Sequence, residues 1–192
     1  MRSDAQRNLD RIVAAAVEVI AERGVNAPMK AIADRAGVGI GTLYRRFPDQ
    51  ATLLSAVGRH YVESISGAVA RAIETNGAAW PAIREFVCWV TDPGRGALAA
   101  ALSELPEDAL VDSEEFTQEQ YRWIGQVQEL VARAQSDGAM RADVNTDDIM
   151  ALLTLFTCRP AALPVRIAEQ RLKYVTLTLD GMQAVATTRD AD

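Results

Sequence analysis

Hydrogen-bond donors are concentrated in one short stretch of the chain, MKAIADRAGVGIGTLYRRF at residues 29–47. Near its end stand Thr42, Tyr44, Arg45 and Arg46. Hydroxyl and guanidinium groups bind phosphate oxygens and base edges, so these residue types favour contact with nucleic acid. That chemistry requires a fold that presents all four side chains on one exposed surface.

A first short helix is predicted on the N-terminal side of these donors. Met29, Ile32, Ala33 and Ala36 recur at spacings of three and four residues, which is the pattern of a helix with one buried face. Gly37 follows directly and can end that helix in a left-handed conformation.

A second short helix is predicted to begin near Gly41 and to turn Leu43 and Phe47 inward. Val38 and Ile40, in the turn between the helices, are expected to pack against a core. The four donors are then left on the outside. A helix, a tight turn and a second helix with exposed donors form a helix-turn-helix, whose second helix enters the major groove of DNA.

Two other interpretations of this stretch have to be weighed. The letters GVGIG could form a phosphate-binding glycine loop, but that motif requires a preceding strand and a βαβ unit, which the sequence around it does not suggest. An ordinary corner between two helices would show the same apolar spacing, and only the residues on both sides distinguish it.

Those flanking residues resemble the TetR family of bacterial transcriptional regulators. The matching block runs from IVAAAVEVIAERGV, beginning at Ile12, to IADRAGVGIGTLYRRFPDQATLLSAV, ending at Val57. The resemblance implies an all-α fold, with a three-helix helix-turn-helix DNA-binding domain at residues 1–50 and a helical ligand-binding and dimerisation domain at residues 51–192. It also implies a homodimer that regulates transcription, most often as a repressor, at a palindromic operator in double-stranded DNA.

Side-chain chemistry suggests roles within the resembled motif. Gly41 and Thr42 are candidates for reading bases, and Arg45 can address O6 and N7 of guanine. The predicted phosphate contacts are Lys30, Tyr44, Arg46 and Gln50. The sequence departs from the family at two of these positions, since Arg46 stands where histidine is common and Gln50 where lysine is common.

The composition also predicts a helical protein. The 192 residues are 49% hydrophobic and 24% charged, and β-branched runs are few. No signal peptide or apolar stretch of about 20 residues is apparent, so we expect a cytoplasmic protein with no membrane partner. Cys88 and Cys158 are far apart and lack a CxxC pattern, which favours reduced thiols over a redox pair.

Charge is distributed unevenly along the chain. The net charge of −6 argues by itself against nucleic acid. Residues 1–60, however, contain nine Lys or Arg and six Asp or Glu, whereas residues 61–192 contain eleven and twenty. A basic N-terminal part on an acidic remainder fits a DNA-binding module joined to a domain with another task.

Caps and breakers predict the helix boundaries in the rest of the chain. A long helix is expected from residue 50 to about residue 74, with Asp49 as its N-cap. Asp92-Pro93-Gly94 is expected to end the following helix, and the next one to begin at Ala97. The other predicted N-caps are Ser113 and Thr146.

Large apolar side chains in this second part have two interpretations. At helical spacing the default is a packed core. The alternative is a pocket for a small molecule, as in ligand-responsive members of the resembled family. Few charged residues interrupt the inner faces, so the effector would be a small apolar or aromatic compound, and no cofactor is expected. The residues concerned are Phe86, Trp89, Tyr121, Trp123, Ile124 and Phe156.

The last predicted helix is apolar on two sides. One face carries Leu172, Val175, Leu179 and Met182, and another carries Tyr174, Leu177 and Gly181. Such a helix must pack against two surfaces, which we infer to be its own core and a second copy of the protein. In the resembled family the last two helices form a four-helix dimer interface, which here implicates Phe156, Leu172, Val175, Leu179 and Met182. Residues 138–153 also resemble a subgroup with SbtR-like C-terminal domains.

No group of residues indicates an enzyme or a metal site. His60 is the only histidine, so a catalytic triad or a histidine-rich metal site would depend on it, and a surface role is the expectation. The paired carboxylates Asp147 and Asp148 are better explained by the start of a helix. Two alternatives to operator control remain: an interaction or small-molecule-binding protein of the same fold, and a hydrolase that uses His60.

Overall fold

A computed structural model describes residues 4–105, 114–157 and 164–184. Regular structure within these ranges is helical apart from one isolated β-bridge, which confirms the predicted all-α fold. The described helices, α1 to α10, are Asp4–Arg23, Met29–Ala36, Ile40–Arg46, Gln50–Asn76, Ala79–Val90, Pro93–Leu102, Glu114–Ser136, Thr146–Thr157, Val165–Glu169 and Arg171–Met182. The predicted cap Ser113 and the thiol of Cys158 lie outside the described residues.

The helix-turn-helix has nearly the predicted boundaries. α2 ends at Gly37, whose φ is +64°, and the backbone N–H of Val38 donates to the carbonyl of Ala33 at 3.0 Å. α3 begins one residue earlier than predicted, and Leu43 and Phe47 are buried as expected.

Ile40 is the exception within this motif. It was expected to pack against a core, but it is 40% exposed on the first turn of α3. Val38 is the residue of the turn that packs against the core. With that contact already occupied, Ile40 is left at the surface.

α4 is the longest described helix and connects two parts of the molecule. The carboxylate of Asp49 accepts the backbone N–H of Thr52 at 2.8 Å, as predicted for an N-cap, and Gly77 ends the helix with φ of +65°. This hydrogen bond, together with the Thr52 hydroxyl, lowers the pKa of Asp49 below its usual value. At 1.5 Å per residue, 27 residues extend about 40 Å.

Two helices begin differently from the prediction. The Asp92 carboxylate accepts the backbone N–H of Gly94 at 3.1 Å, so Asp92-Pro93-Gly94 starts α6 as well as following α5. Proline suits the first position of a helix because its missing N–H would have no partner there.

The start of α8 is capped by Asn145 rather than by the predicted Thr146. The Asn145 side-chain oxygen accepts the backbone N–H of Asp147 at 2.8 Å, and the Asp148 carboxylate accepts the N–H of Asn145 at 2.8 Å. This reciprocal pair of bonds forms a capping box one residue earlier.

We call α1–α3 the head and α5–α10 the body, and α4 belongs to both. The head core also includes Leu53 and Val57 of α4 and Leu98 and Leu102 of α6. The body core draws on α4, α5, α7, α8 and α10. No helix among the described residues is long and apolar enough to cross a membrane.

Candidate nucleic-acid interface and apolar cleft

The predicted donors of α3 lie on its exposed surface. Thr42, Tyr44, Arg45 and Arg46 are all exposed, as the helical pattern predicted. In the described parts of the chain, neither arginine has an ion-pair partner within 4.0 Å. A side chain added at Gly41 would meet no atom within 4 Å, so the backbone there can approach another molecule closely.

Lys30, a predicted phosphate contact, lies on the exposed side of α2. Its ammonium pairs with Asp34 one turn later at 3.0 Å, and both side chains are largely exposed. Exposed pairs of this type contribute little free energy. The pairing therefore leaves Lys30 able to exchange its partner for a phosphate.

Gln50, another predicted phosphate contact, has its side chain engaged within the chain. Its side-chain amide nitrogen donates to the carbonyl of Val25 at 2.5 Å and to that of Ala27 at 3.4 Å. Both amide protons are thus used on the loop before α2. Gln50 fixes that loop, because the loop carbonyls lie outside regular structure and need hydrogen-bond donors.

Two arginines that the sequence analysis did not single out hold α2 against α1. The Arg35 guanidinium donates to Glu18 at 2.8 Å and to Glu22 at 2.9 Å. Its hydrogen bonds lower the pKa of Glu22. Arg11 donates to the carbonyl of Ala36, at the end of α2, at 2.6 Å. Glu18 and Glu22 are four residues apart and therefore lie on one face of α1. This spacing is the feature of the sequence from which a cationic partner for α1 could have been predicted.

A cleft of about 250 Å³ opens in the body between α4, α6, α7 and α8. Its walls include Tyr61 and Ile65 of α4, Ala99 of α6, Trp123 of α7 and Leu153 of α8. Its described lining residues are apolar or uncharged polar, and none carries a charge.

Of the six residues considered for a pocket, Trp123 lines this cleft, and the other five are not among its described lining residues. Phe86 and Phe156 are buried in the body core, Tyr121 is 73% exposed, and Ile124 and Trp89 are half-buried elsewhere. Two positions correspond to about 200° around a helix, so Tyr121 and Trp123 face opposite ways.

α6 contacts both the cleft and the head. Ala99, Leu102 and Ser103 line the cleft, whereas Leu98, Ala101 and Leu102 belong to the head core. α6 also packs directly against α1. α6 therefore contacts both the cleft and α1, the helix against which α2 packs.

The predicted dimer residues divide into buried and exposed sets. Phe156, Val175 and Leu179 are already buried within the core of one chain, so they are core residues rather than the interface residues expected. Met182 is half-buried, and Leu172 is 63% exposed. The exposed apolar side chains on α8 to α10 are Leu155, Val165, Leu172 and Leu177.

The remaining reactive side chains do not form a site. His60 is exposed on α4, as expected for a surface residue. Burial raises the pKa of the Cys88 thiol, which disfavours the reactive thiolate. Within the described ranges, no group of three or more His, Cys, Asp and Glu side chains could hold a metal ion.

Donors exposed on the second helix of a braced helix-turn-helix, joined to a separate helical body, define a DNA-binding transcriptional regulator. Residues 12–57 match the bacterial regulatory proteins of the tetR family, and residues 82–184 match the SbtR-like C-terminal domain of transcriptional regulators. This chain belongs to the TetR family, and the predicted resemblance to the SbtR-like subgroup is confirmed.

Relatives include HTH-type transcriptional repressors named KstR. The protein from Mycolicibacterium smegmatis is 32% identical over 151 residues, which cover 73% of this chain and 70% of that protein. The one from Mycobacterium tuberculosis is 47% identical over 62 residues, which cover 31% of this chain and only 28% of that protein.

Solved structures share the whole fold. A TetR regulatory protein from Mycobacterium vanbaalenii has a TM-score of 0.69 and 30% identity, covering 94% of this chain and 98% of its own. A TetR-family regulator from Agrobacterium tumefaciens has a TM-score of 0.73 at 14% identity, covering 94% and 100%. The latter supports the fold alone.

Proposed function

We propose that this protein is a dimeric transcriptional repressor that binds a palindromic operator and leaves it when a small uncharged molecule fills the cleft. The observation that carries this proposal is α6, which forms a wall of the cleft and part of the head core. The relatives named KstR are repressors, which supports repression as the direction of control. The protein acts on DNA in the cytoplasm, needs no cofactor and catalyses no reaction.

Each exposed residue of α3 has a role in this proposal. Thr42 and the open backbone at Gly41 read bases, and Arg45 addresses guanine. Tyr44, Arg46 and Lys30 hold phosphates and fix the register. In a dimer the two α3 helices would lie about 34–36 Å apart on successive major grooves, which is why the operator would be palindromic.

The cleft limits the chemistry of the effector. A volume of about 250 Å³ lies just below the usual range for small-molecule sites, so the ligand is compact. Walls without a charge among the described residues favour an uncharged apolar or aromatic compound, because a buried ion would lack a partner.

Release of the operator requires that the effector binds one arrangement better than the other. A ligand can shift an equilibrium only by its differential affinity for the two states. The cleft opens directly onto α4 and α6. A ligand that favours a wider cleft would move these helices relative to α1 and change the separation of the two heads.

The DNA-binding surface is tested by three arginine variants. Arg46→Ala should weaken binding to operator and random DNA alike and lower the salt slope by about one unit for each lost phosphate contact. Arg45→Ala should cost about 1–3 kcal/mol on the operator and relax preference at one base of each half-site. Arg133→Ala removes an exposed arginine of α7 and serves as the matched control.

Fluorescence anisotropy with DNA from the promoter of the protein's own gene, over a series of salt concentrations, measures both the DNA affinity and the salt slope. Equal binding by all three variants and the parent would place the recognition surface elsewhere. If the unsubstituted protein does not bind DNA even at low salt, operator control is excluded. The alternative is then an interaction or small-molecule-binding protein of the same fold.

The effector is tested in the same protein by filling the cleft from its rim. Thr154 is exposed and lines the cleft, so Thr154→Trp should abolish thermal stabilisation by a panel of uncharged apolar compounds. Gln128→Trp, on the exposed side of α7, should keep it. At about 100 times its dissociation constant, a ligand adds roughly 2.7 kcal/mol of stability. Stabilisation that survives in Thr154→Trp would locate the ligand outside the cleft.

A further inference from the structure

A second groove lies in the body between the α5–α6 junction and the start of α10. Its volume is about 520 Å³, and its lining includes Trp89, Arg95, Arg171 and Leu172. It shares none of its described lining residues with the apolar cleft. Its chemistry also differs, because charged side chains form much of the wall.

Arg171 carries an unmatched charge in this wall. Its Nε and Nη1 atoms are buried and have no hydrogen-bond partner among the described residues. Nor does a described carboxylate lie within ion-pair distance, although Glu169 lines the same groove. Buried polar groups in folded proteins nearly always have partners, and an unpaired guanidinium is costly.

Gly96 provides the space for this guanidinium. Gly96 is buried within α6, and a Cβ atom there would overlap Nη1 of Arg171. Glycine is unfavourable inside a helix. Gly96 thus accommodates an arginine next to α6, and the described part of the chain supplies no acidic partner for it.

A second cation is held in a fixed position in the same groove. The guanidinium of Arg95 lies 4.1 Å from the centre of the Trp89 ring and donates to the Trp89 carbonyl at 3.3 Å. Arg71 approaches the same ring at 5.8 Å. The carboxylate of Asp92 pairs with Arg95 at 3.4 Å and already accepts the N–H of Gly94. Asp92 therefore neutralises the charge of Arg95, whereas the charge of Arg171 has no ion-pair partner among the described residues.

We propose that this groove binds a small organic anion, a carboxylate or a phosphate ester, as a second ligand distinct from the effector of the apolar cleft. Its oxyanion lies on the side of Arg171 and Arg95, where a negative charge stabilises the unmatched guanidinium. Its apolar part lies along Pro93. The groove is large enough for such a molecule.

Benzoate and phenyl phosphate are suitable anionic probes. Benzyl alcohol, an uncharged aromatic compound of similar size, is the control, and all three are compared at equal ionic strength. Titration calorimetry of the full chain should show saturable binding of one or both anions and none of benzyl alcohol at the same site. Tighter binding of benzoate would identify a carboxylate ligand, and tighter binding of phenyl phosphate a phosphate ester.

Arg171→Met should weaken anion binding at least tenfold. Lys173→Met removes the same charge from an exposed position two residues further along α10 and should bind as the parent does. The melting temperature of ligand-free Arg171→Met should not fall, because the substitution removes an unpaired buried cation.

Three results would overturn the proposal. Anion binding that is unchanged in Arg171→Met would remove Arg171 from the site. A lower melting temperature of the ligand-free variant would show that the protein itself already satisfies the guanidinium. Dissociation of a dimer in Arg171→Met, with no anion bound by the parent, would assign the groove to an acidic side chain of a second copy. None of these results depends on DNA binding, so the proposed repressor role is tested separately.

Discussion

Gln50 and Arg11 act on the head in the same way, since each donates to backbone carbonyls that regular structure leaves without a partner. Gln50 binds the carbonyls of Val25 and Ala27, before α2, and Arg11 binds that of Ala36, at the end of α2. The last carbonyls of a helix have no partner within the helix. The two side chains therefore fix both ends of α2 and, through the turn, the position of α3.

Replacement of Gln50 should affect stability rather than DNA affinity. Gln50→Ala should lower the free energy of unfolding by about 1 kcal/mol, the usual net contribution of a hydrogen bond, and leave the salt slope of DNA binding unchanged. Urea denaturation and salt-dependent anisotropy measure the two effects.

The matched control is Gln6→Ala, because the Gln6 side chain is exposed and donates to Asp10, one helical turn away, at 2.9 Å. If Gln50→Ala is as stable as this control but binds DNA with a reduced salt slope, then Gln50 contacts phosphate after all.

The exposure of Thr42, Tyr44, Arg45 and Arg46 could be predicted because helical periodicity alone assigns residues to a face. The role of Gln50 could not. Its partner Val25 is 25 positions away in the sequence. A hydrogen bond of that range leaves no local pattern, and a polar residue at the start of a helix near a DNA-binding surface looks like a phosphate contact.

At the scale of the elements, two glycines of the helix-turn-helix differ in whether the backbone and its surroundings would accept a side chain. Gly37 ends α2 with φ of +64°, and a Cβ there would lie 2.9 Å from Nη2 of Arg11. Gly41 lies within α3, and a Cβ there would contact nothing within 4 Å.

Alanine substitutions at these two positions should change stability in opposite directions. Gly37→Ala should destabilise by about 1–2 kcal/mol, because a side chain disfavours the left-handed region and here also meets the arginine that caps α2. Gly41→Ala should stabilise by up to about 1 kcal/mol, since alanine favours the helix. Chemical denaturation of both variants gives the sign directly. A loss of stability in Gly41→Ala comparable to that in Gly37→Ala would contradict the helical geometry of α3.

Helix boundaries were predictable to within a few residues, but the walls of the cleft were not. Spacing shows which side chains share a face of a helix. It does not show which neighbouring helices meet that face. The sequence therefore suggests Tyr121, Ile124 and Phe156 for a pocket together with Trp123, but of these four only Trp123 lines the cleft, with residues of α4 and α6.

At the scale of the whole molecule, α8 to α10 leave an apolar surface uncovered within one chain. Leu155, Leu172 and Leu177 are each about half exposed or more. The sequence predicts two apolar faces on the last helix but does not distinguish the inner face from the outer one. The structure places Val175 and Leu179 inside, so the outer set is the surface that a second copy would cover in the proposed dimer.

Two leucine variants of α10 should separate assembly from folding. Leu177→Glu should give a folded monomer, because it places a charge on the uncovered face. Leu179→Glu should unfold the body, because a buried unpaired charge costs several kcal/mol. Sedimentation velocity gives the mass, and circular dichroism gives the helix content. A parent protein that sediments as a folded monomer at micromolar concentration would exclude the dimer, and a Leu177→Glu variant of unchanged dimeric mass would place the interface elsewhere.

The head core takes part of its apolar surface from α4 and α6, through residues such as Leu53, Val57 and Leu98. A recombination event at residue 50 would therefore cut through a core, although it falls between the proposed DNA-contacting surface and the rest of the chain. A hybrid joined there would pack one parent's α1 against the other parent's α6, with cavities or overlaps wherever the side chains differ in size. Within this architecture, new operator preferences are more easily acquired by changing the exposed residues of α3 than by exchanging whole heads between relatives.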